Sequence, residues 1–125
     1  MQIKIIYTKL YFLFLFFTLF CFGQELPPIT KYTQSTYQAG IQNWMISQDE
    51  NHFMFFANNE GLLEYNGSLW TLYPSPNEAI IRSVKCIDDK VYTGSYMEFG
   101  YWERQKNGQL KYNSLSEKIK NKLVD

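Results

Sequence analysis

This chain of 125 residues has little of what most active sites require. Histidine occurs once, as His52, so histidine-based metal centres and Ser-His-Asp arrangements lack material. No GxGxxG and no phosphate-loop pattern is present, which excludes the common nucleotide-cradling loops. Net charge is zero, and the balance is uneven along the chain. Lys4 and Lys9 fall in the first nine residues, whereas all twelve acids come after residue 24. Residues 24–125 hold ten basic and twelve acidic residues, a balance of −2. A mildly acidic segment with no basic patch argues against nucleic-acid binding. The acid pairs Asp49-Glu50 and Asp88-Asp89 sit where turns are expected, and neighbours on a strand point to opposite faces. They do not make the facing carboxylates of a cation or glycosidase site. The residues therefore predict no catalytic, cofactor-binding or metal-binding set.

Cysteine is scarce too, with Cys21 and Cys86 alone. The first 23 residues have the form of a secretory signal: Lys4 and Lys9 as a positive start, then an apolar stretch of thirteen residues from Leu10 to Phe22. That run is short for a bilayer crossing, which takes about twenty residues. Cys21 and Gly23 are small residues at −3 and −1, so the expected cleavage lies between Gly23 and Gln24. An uncleaved anchor is the alternative, while lipid attachment at Cys21 is disfavoured by bulky Phe20. Export leads to an oxidising compartment, and only Cys86 survives cleavage, so no internal disulfide forms. Cys86 has no activating neighbour in sequence and is expected as a small core residue.

Aromatic residues are abundant: ten Tyr, ten Phe and three Trp, types that favour strands and fill cores. Residues 24–42 are polar, with Pro27-Pro28 and Gly40, and predict a linker or extended lead-in. Strands are then expected at about 43–48, 53–58, 62–66 and 69–73. Asn66-Gly67 signals a type I′ hairpin turn, and Pro74 and Pro76 end the last strand. Trp70 and Leu72 share a face. The pattern returns at Ile80–Ile87, Lys90–Ser95, Gly100–Arg104 and Leu110–Asn113, with Asn107-Gly108 as the second hairpin turn. Ile46 matches Val84 and Phe53 matches Val91, each 38 residues on; Gly61 matches Gly100 at 39, and Asn66-Gly67 matches Asn107-Gly108 at 41. Four strands per unit at a period of about forty predict β-propeller blades. Ser114 and Glu117 fit a capping box for a short helix carrying Leu115, Ile119 and Leu123 on one face.

The expected fold is thus all-β: two consecutive four-stranded antiparallel blades of an incomplete propeller, a signal helix before them and a short C-terminal helix after them. The segments are 1–23 signal, 24–42 lead-in, 43–76 first blade, 77–113 second blade and 114–125 inter-blade helix or end. The sequence stops where a third repeat is due, so a piece of a longer protein is expected.

Phe53, Phe55, Asn58, Gly61, Leu62, Tyr65, Asn66, Gly67, Trp70 and Tyr73 resemble the two-component-regulator propeller repeat. In the second copy Phe99-Gly100-Tyr101-Trp102 replaces the Gly-Leu segment. The stretches ANNEGLLEYNG, LYPSPN and VYTGSYMEFGYW are similar to the start of large sensor proteins of Bacteroidetes-type bacteria. In those sensors periplasmic propellers precede a triple-tyrosine immunoglobulin-like domain, a membrane helix and a histidine kinase or helix-turn-helix output. The resemblance implies an exported, periplasmic, ligand-sensing propeller segment of a signalling receptor, not itself an enzyme. It implies a glycan or other small extracellular ligand and a dimer in the full-length receptor. Membrane contact would come only through the signal segment or a helix downstream. A secreted propeller enzyme acting on polysaccharide and a non-sensory scaffold or adhesion propeller are the alternatives. Candidate ligand-face residues are Arg82, Tyr96, Glu98, Tyr101, Trp102 and Arg104, an aromatic cluster with charges nearby, able to stack on a sugar or to pack between blades.

Overall fold

The computed structural model describes residues 1–18, 23 and 25–123. They form two units, Met1–Lys31 and Tyr32–Asp125. In the first unit, α1 runs over Gln2–Thr18, 17 residues rich in Leu and Phe. Among the described residues no helix is long and apolar enough to cross a membrane. Gln24, and with it the expected cleavage bond, lies outside the described residues, as do residues 19–22 with Cys21.

The second unit begins with a short helix, α2 (Gln34–Tyr37), where the sequence predicted only an extended lead-in. Then come β1 (Asn43–Gln48), β2 (Met54–Asn58), β3 (Gly61–Tyr65), β4 (Trp70–Pro74), β5 (Ile81–Ile87), β6 (Lys90–Ser95), β7 (Glu98–Arg104) and β8 (Leu110–Ser114). Helix α3 (Ser116–Leu123) closes the order. The strands make two separate antiparallel sheets in the orders β1-β2-β3-β4 and β5-β6-β7-β8, neither closed into a barrel. Within each sheet the connections are short, which is why each strand there pairs with its neighbour in sequence, whereas β4 and β5 do not pair.

Two turns differ from the type I′ geometry that their sequences suggest. Tyr65 pairs with Trp70, so the loop between them is four residues long, and φ is positive at Gly67 (94°) but not at Asn66. The reason is the Asn66 side chain. Its Oδ1 accepts from the Ser68 and Leu69 amides at 3.0 and 2.8 Å, closing an Asx turn that holds Asn66 out of the left-handed region. Asn107 does the same for the Gln109 amide at 3.0 Å, in a loop between Arg104 and Leu110. At the C-terminal end, Ser114 Oγ accepts from the Glu117 amide at 3.2 Å, half of the predicted capping box.

The core lies between the sheets. Phe55, Ala57, Leu62 and Tyr73 from the first meet Ile81, Val84, Val91 and Trp102 from the second. The free edge of β5 is tied to β1 by side chains: Ser47 Oγ accepts from the Cys86 amide at 3.0 Å, and Met45 Sδ lies 3.5 Å from the Val84 amide. The opposite face of the first sheet is covered by the lead-in. Trp70 there touches the rings of Tyr32, Tyr37, Phe56 and Tyr65.

Asn58 fastens that lead-in. It is fully buried and makes four hydrogen bonds: its Oδ1 accepts from the Gly40 and Glu60 amides, and its Nδ2 donates to the Gly40 carbonyl and to Asn43 Oδ1. Asn58→Ala leaves those backbone groups buried without partners, at about 1–3 kcal/mol each. The expected loss is about 3 kcal/mol, read as a lowered urea midpoint with an unchanged slope. A loss below about 1 kcal/mol would show that water replaces the amide.

The two sheets follow each other head to tail. Both first strands carry a bulge just after their first paired residue, at Trp44 in β1 and at Arg82 in β5. Both third strands pair an aromatic residue with an aromatic on the fourth: Tyr65 with Trp70 and Trp102 with Tyr112. Superposing these features keeps Ile46 on Val84, as the sequence spacing predicts. It moves Gly61 onto Glu98 rather than Gly100, two ladder pairs away, because each glycine answers a contact of its own. Parity then decides the faces, since alternate strand residues point opposite ways. Tyr65 and Trp70 lie on the lead-in side of the first sheet, whereas Trp102 and Tyr112 lie on the core side of the second. The covered face of the first sheet is therefore equivalent to the packed face of the second.

Candidate functional site

The best-built polar site lies where β7, β8 and the start of α3 converge on the β4–β5 connection. Glu98 opens β7, and its Oε1 accepts from the Tyr112 hydroxyl at 2.8 Å and from Ser114 Oγ at 2.7 Å. Gly100 makes the reach of Tyr112 feasible: a Cβ at that position would stand 2.6 Å from the tyrosine hydroxyl oxygen. Pro76, Asn77 and Glu117 complete the lining of an open pocket of about 310 Å³. Two carboxylates, an amide and two hydroxyls there can take a ligand rich in hydroxyl donors.

Burial, and then the bond to the Glu98 carboxylate, push the Tyr112 hydroxyl well above the usual tyrosine range. An unfolded tyrosine ionises at about pH 10. Folded Tyr112 keeps its proton there, so its stabilisation is present below that pH and is lost as the pH climbs toward the folded value. In an ultraviolet titration of tyrosinate, Tyr65, Tyr73 and Tyr112 are expected to ionise late, and Tyr112→Phe should remove one of those late steps. An unchanged titration in that variant would contradict the assignment.

The other predicted ligand-face residues are dispersed. Trp102 is buried in the core, and its Nε1 donates to Thr93 Oγ1 at 2.9 Å. Tyr101, its neighbour on the strand, points to the opposite face, beside Tyr92 and under Lys90 Nζ at 5.4 Å. Arg104 sits at the mouth between the sheets, 3.1 Å from the buried Glu64. Arg82 lies over the Trp44 ring at 4.6 Å from its centroid. Tyr96 stands exposed at the tip of the β6–β7 hairpin, where Met97 has positive φ (54°). The structure thus brings Glu98 to a pocket and Arg82 to an exposed ring, but does not gather the six residues into one site.

Tyr112, Asn77 and Glu117 were not legible as site residues, because their meeting with Glu98 depends on strand register across fourteen or more positions. Ser114 carried a signal, but only as a helix cap. Cys86 is partly buried at the margin of the core. Burial pushes its thiol up, offset in part by the hydrogen bond with Ser47. Among the described residues no three metal-ligating side chains converge. No family model, curated protein or solved structure matches the chain.

Proposed function

We propose that this chain is the exported, ligand-sensing β-propeller segment of a bacterial signal-transduction receptor that controls transcription, non-catalytic by itself. The observation that carries this reading is the head-to-tail stacking of two four-stranded meanders. Blades around a common axis succeed each other by one repeated operation, whereas the two halves of a closed sandwich face each other. Most of the residues that resemble the regulator-propeller repeat cluster on β3, β4 and the loop joining them: Gly61, Leu62, Tyr65, Asn66, Gly67, Trp70 and Tyr73. Lys4 and Lys9 ahead of an apolar run support export to the periplasm. The Glu98 pocket supports a glycan or another small polyhydroxylated ligand, since carboxylates accept from sugar hydroxyls.

Expression of the full chain in a Gram-negative host, with fractionation and intact-mass analysis, tests the export half. The expected product is periplasmic and begins at Gln24. A glycan panel applied to that product tests the sensing half, with binding expected to fall about tenfold or more in Glu98→Gln, which loses a charge-assisted acceptor. Retention in the cytoplasm with residues 1–23 attached, or a panel with no binder, would overturn the proposal.

A further inference from the structure

The repeated stacking operation leaves one face of each sheet without its sheet partner. On the first sheet, the far face presents Ile46, Gln48, Met54, Phe56, Leu63 and Leu72, with no charged residue among them. The lead-in buries the middle of that face, where Leu63 is 1% exposed, and leaves its β1 edge open, where Ile46 is 52% exposed. On the second sheet, the far face presents Lys85, Tyr92 and Tyr101, with Ile87 50% and Phe99 45% exposed. By the equivalence above, this second face corresponds to the one through which β1–β4 already stack on β5–β8.

We infer that these two faces bind each other between two copies of this chain, and that residues 32–40 are a removable cap on the first of them. The cover is thin for a sheet face. It consists of the four-residue α2, which has no side-chain cap at its N-terminus, and the rings of Tyr32 and Tyr37. Trp70 Nε1 is left buried beneath it without a partner. The densest polar attachment comes at the end of the segment, where Asn58 holds Gly40; ahead of it a swing about Gly40 gives up the buried Ala39, the 2.7 Å bond between the Tyr32 and Tyr65 hydroxyls and the ring contacts on Trp70. A second copy is the occupant because the chain carries both complementary faces and already joins them once. Such a contact is heterologous: it uses different patches on the two copies and continues into a ring or a filament. The inference shares the stacking operation with the proposed function but needs neither export nor a ligand, so failure of the sensing tests leaves it standing.

The register names the test. Within the chain, Ser47 of β1 meets Cys86 of β5. The same step between copies sets Lys85 of one copy beside Gln48 of the next. Two full-length proteins are prepared in mild nonionic detergent with Cys21 and Cys86 replaced by Ala, one carrying Lys85→Cys and the other Gln48→Cys. They are mixed and oxidised. Adding Tyr32→Ala and Tyr37→Ala to the Gln48→Cys protein is expected to raise the mixed disulfide about tenfold, the population change that losing two ring contacts produces. The same pair of changes in the Lys85→Cys protein should leave the yield unchanged, because that copy offers its other face. No rise, an equal rise whichever partner carries the change, or a predominance of Gln48→Cys homodimers would overturn the inference. The last two outcomes also identify unselective association of a misfolded variant.

Discussion

Gly61→Ala is expected to cost about 3–5 kcal/mol, enough to unfold a domain of ordinary stability or bring it close to unfolding. Two effects add. Gly61 has φ of 148°, a region that residues with a side chain rarely adopt. A Cβ there would also stand 2.2 Å from the Tyr73 carbonyl oxygen and 2.9 Å from Pro74 Cα. Both obstacles are backbone atoms of β4, paired across the ladder, so they yield only if β3 and β4 separate. Separation would uncover Leu62 and Tyr73, which belong to the inter-sheet core. Gly67→Ala provides the contrast. Its φ is also positive at 94°, but a Cβ would meet nothing within 4 Å, so only the backbone term of about 1 kcal/mol applies. Urea melts monitored by tryptophan fluorescence measure both variants. Equal, small losses would show that the β3–β4 approach is looser than described.

Arg104→Met is expected to cost about 3 kcal/mol, and Glu64→Gln much less. The asymmetry comes from burial. The Glu64 side chain is 6% exposed and points into the inter-sheet core, where Arg104 approaches at 3.1 Å; the Arg104 side chain is 35% exposed. Removing the arginine strands a carboxylate in a poorly solvated place, and its Oε2 already has no hydrogen-bond partner. Removing the carboxylate leaves a guanidinium that still reaches water, donates to the Gly108 carbonyl at 2.8 Å and lies over the Phe53 ring. The double variant should recover most of the loss seen in Arg104→Met, because no unpaired charge remains. Equal costs for the two single changes, or no recovery in the double, would place the pair in solvent rather than at the sheet interface.

Much of the fold was legible because strand signals are local. Alternation at Leu69–Tyr73, the Gly and Asn punctuation, and the period of about forty set all eight strands within a residue or two of their places. Turn geometry was less legible. The Asn66-Gly67 dipeptide signals a hairpin correctly, but the choice between its turn types rests on whether the asparagine side chain or its backbone closes the loop. The lead-in was opaque for another reason: Tyr32 and Tyr37 look like ordinary polar-segment tyrosines until β4 brings Trp70 beneath them. Site residues were the least legible of all. Trp102 and Tyr101 are adjacent in sequence, yet parity sends one into the core and the other away from it. Glu98 acquires Tyr112 and Ser114 only through the pairing of β7 with β8.

The stacking of two separate sheets is tested most directly by proton distances in solution. In a nuclear Overhauser spectrum of the full chain in detergent, cross-peaks are expected between the rings of Tyr73 and Trp102, whose centroids lie 5.9 Å apart, and between the Cys86 amide and the Ser47 β-protons. Backbone contacts that instead pair a strand of 43–74 with a strand of 81–114, edge to edge in one sheet, would contradict the account.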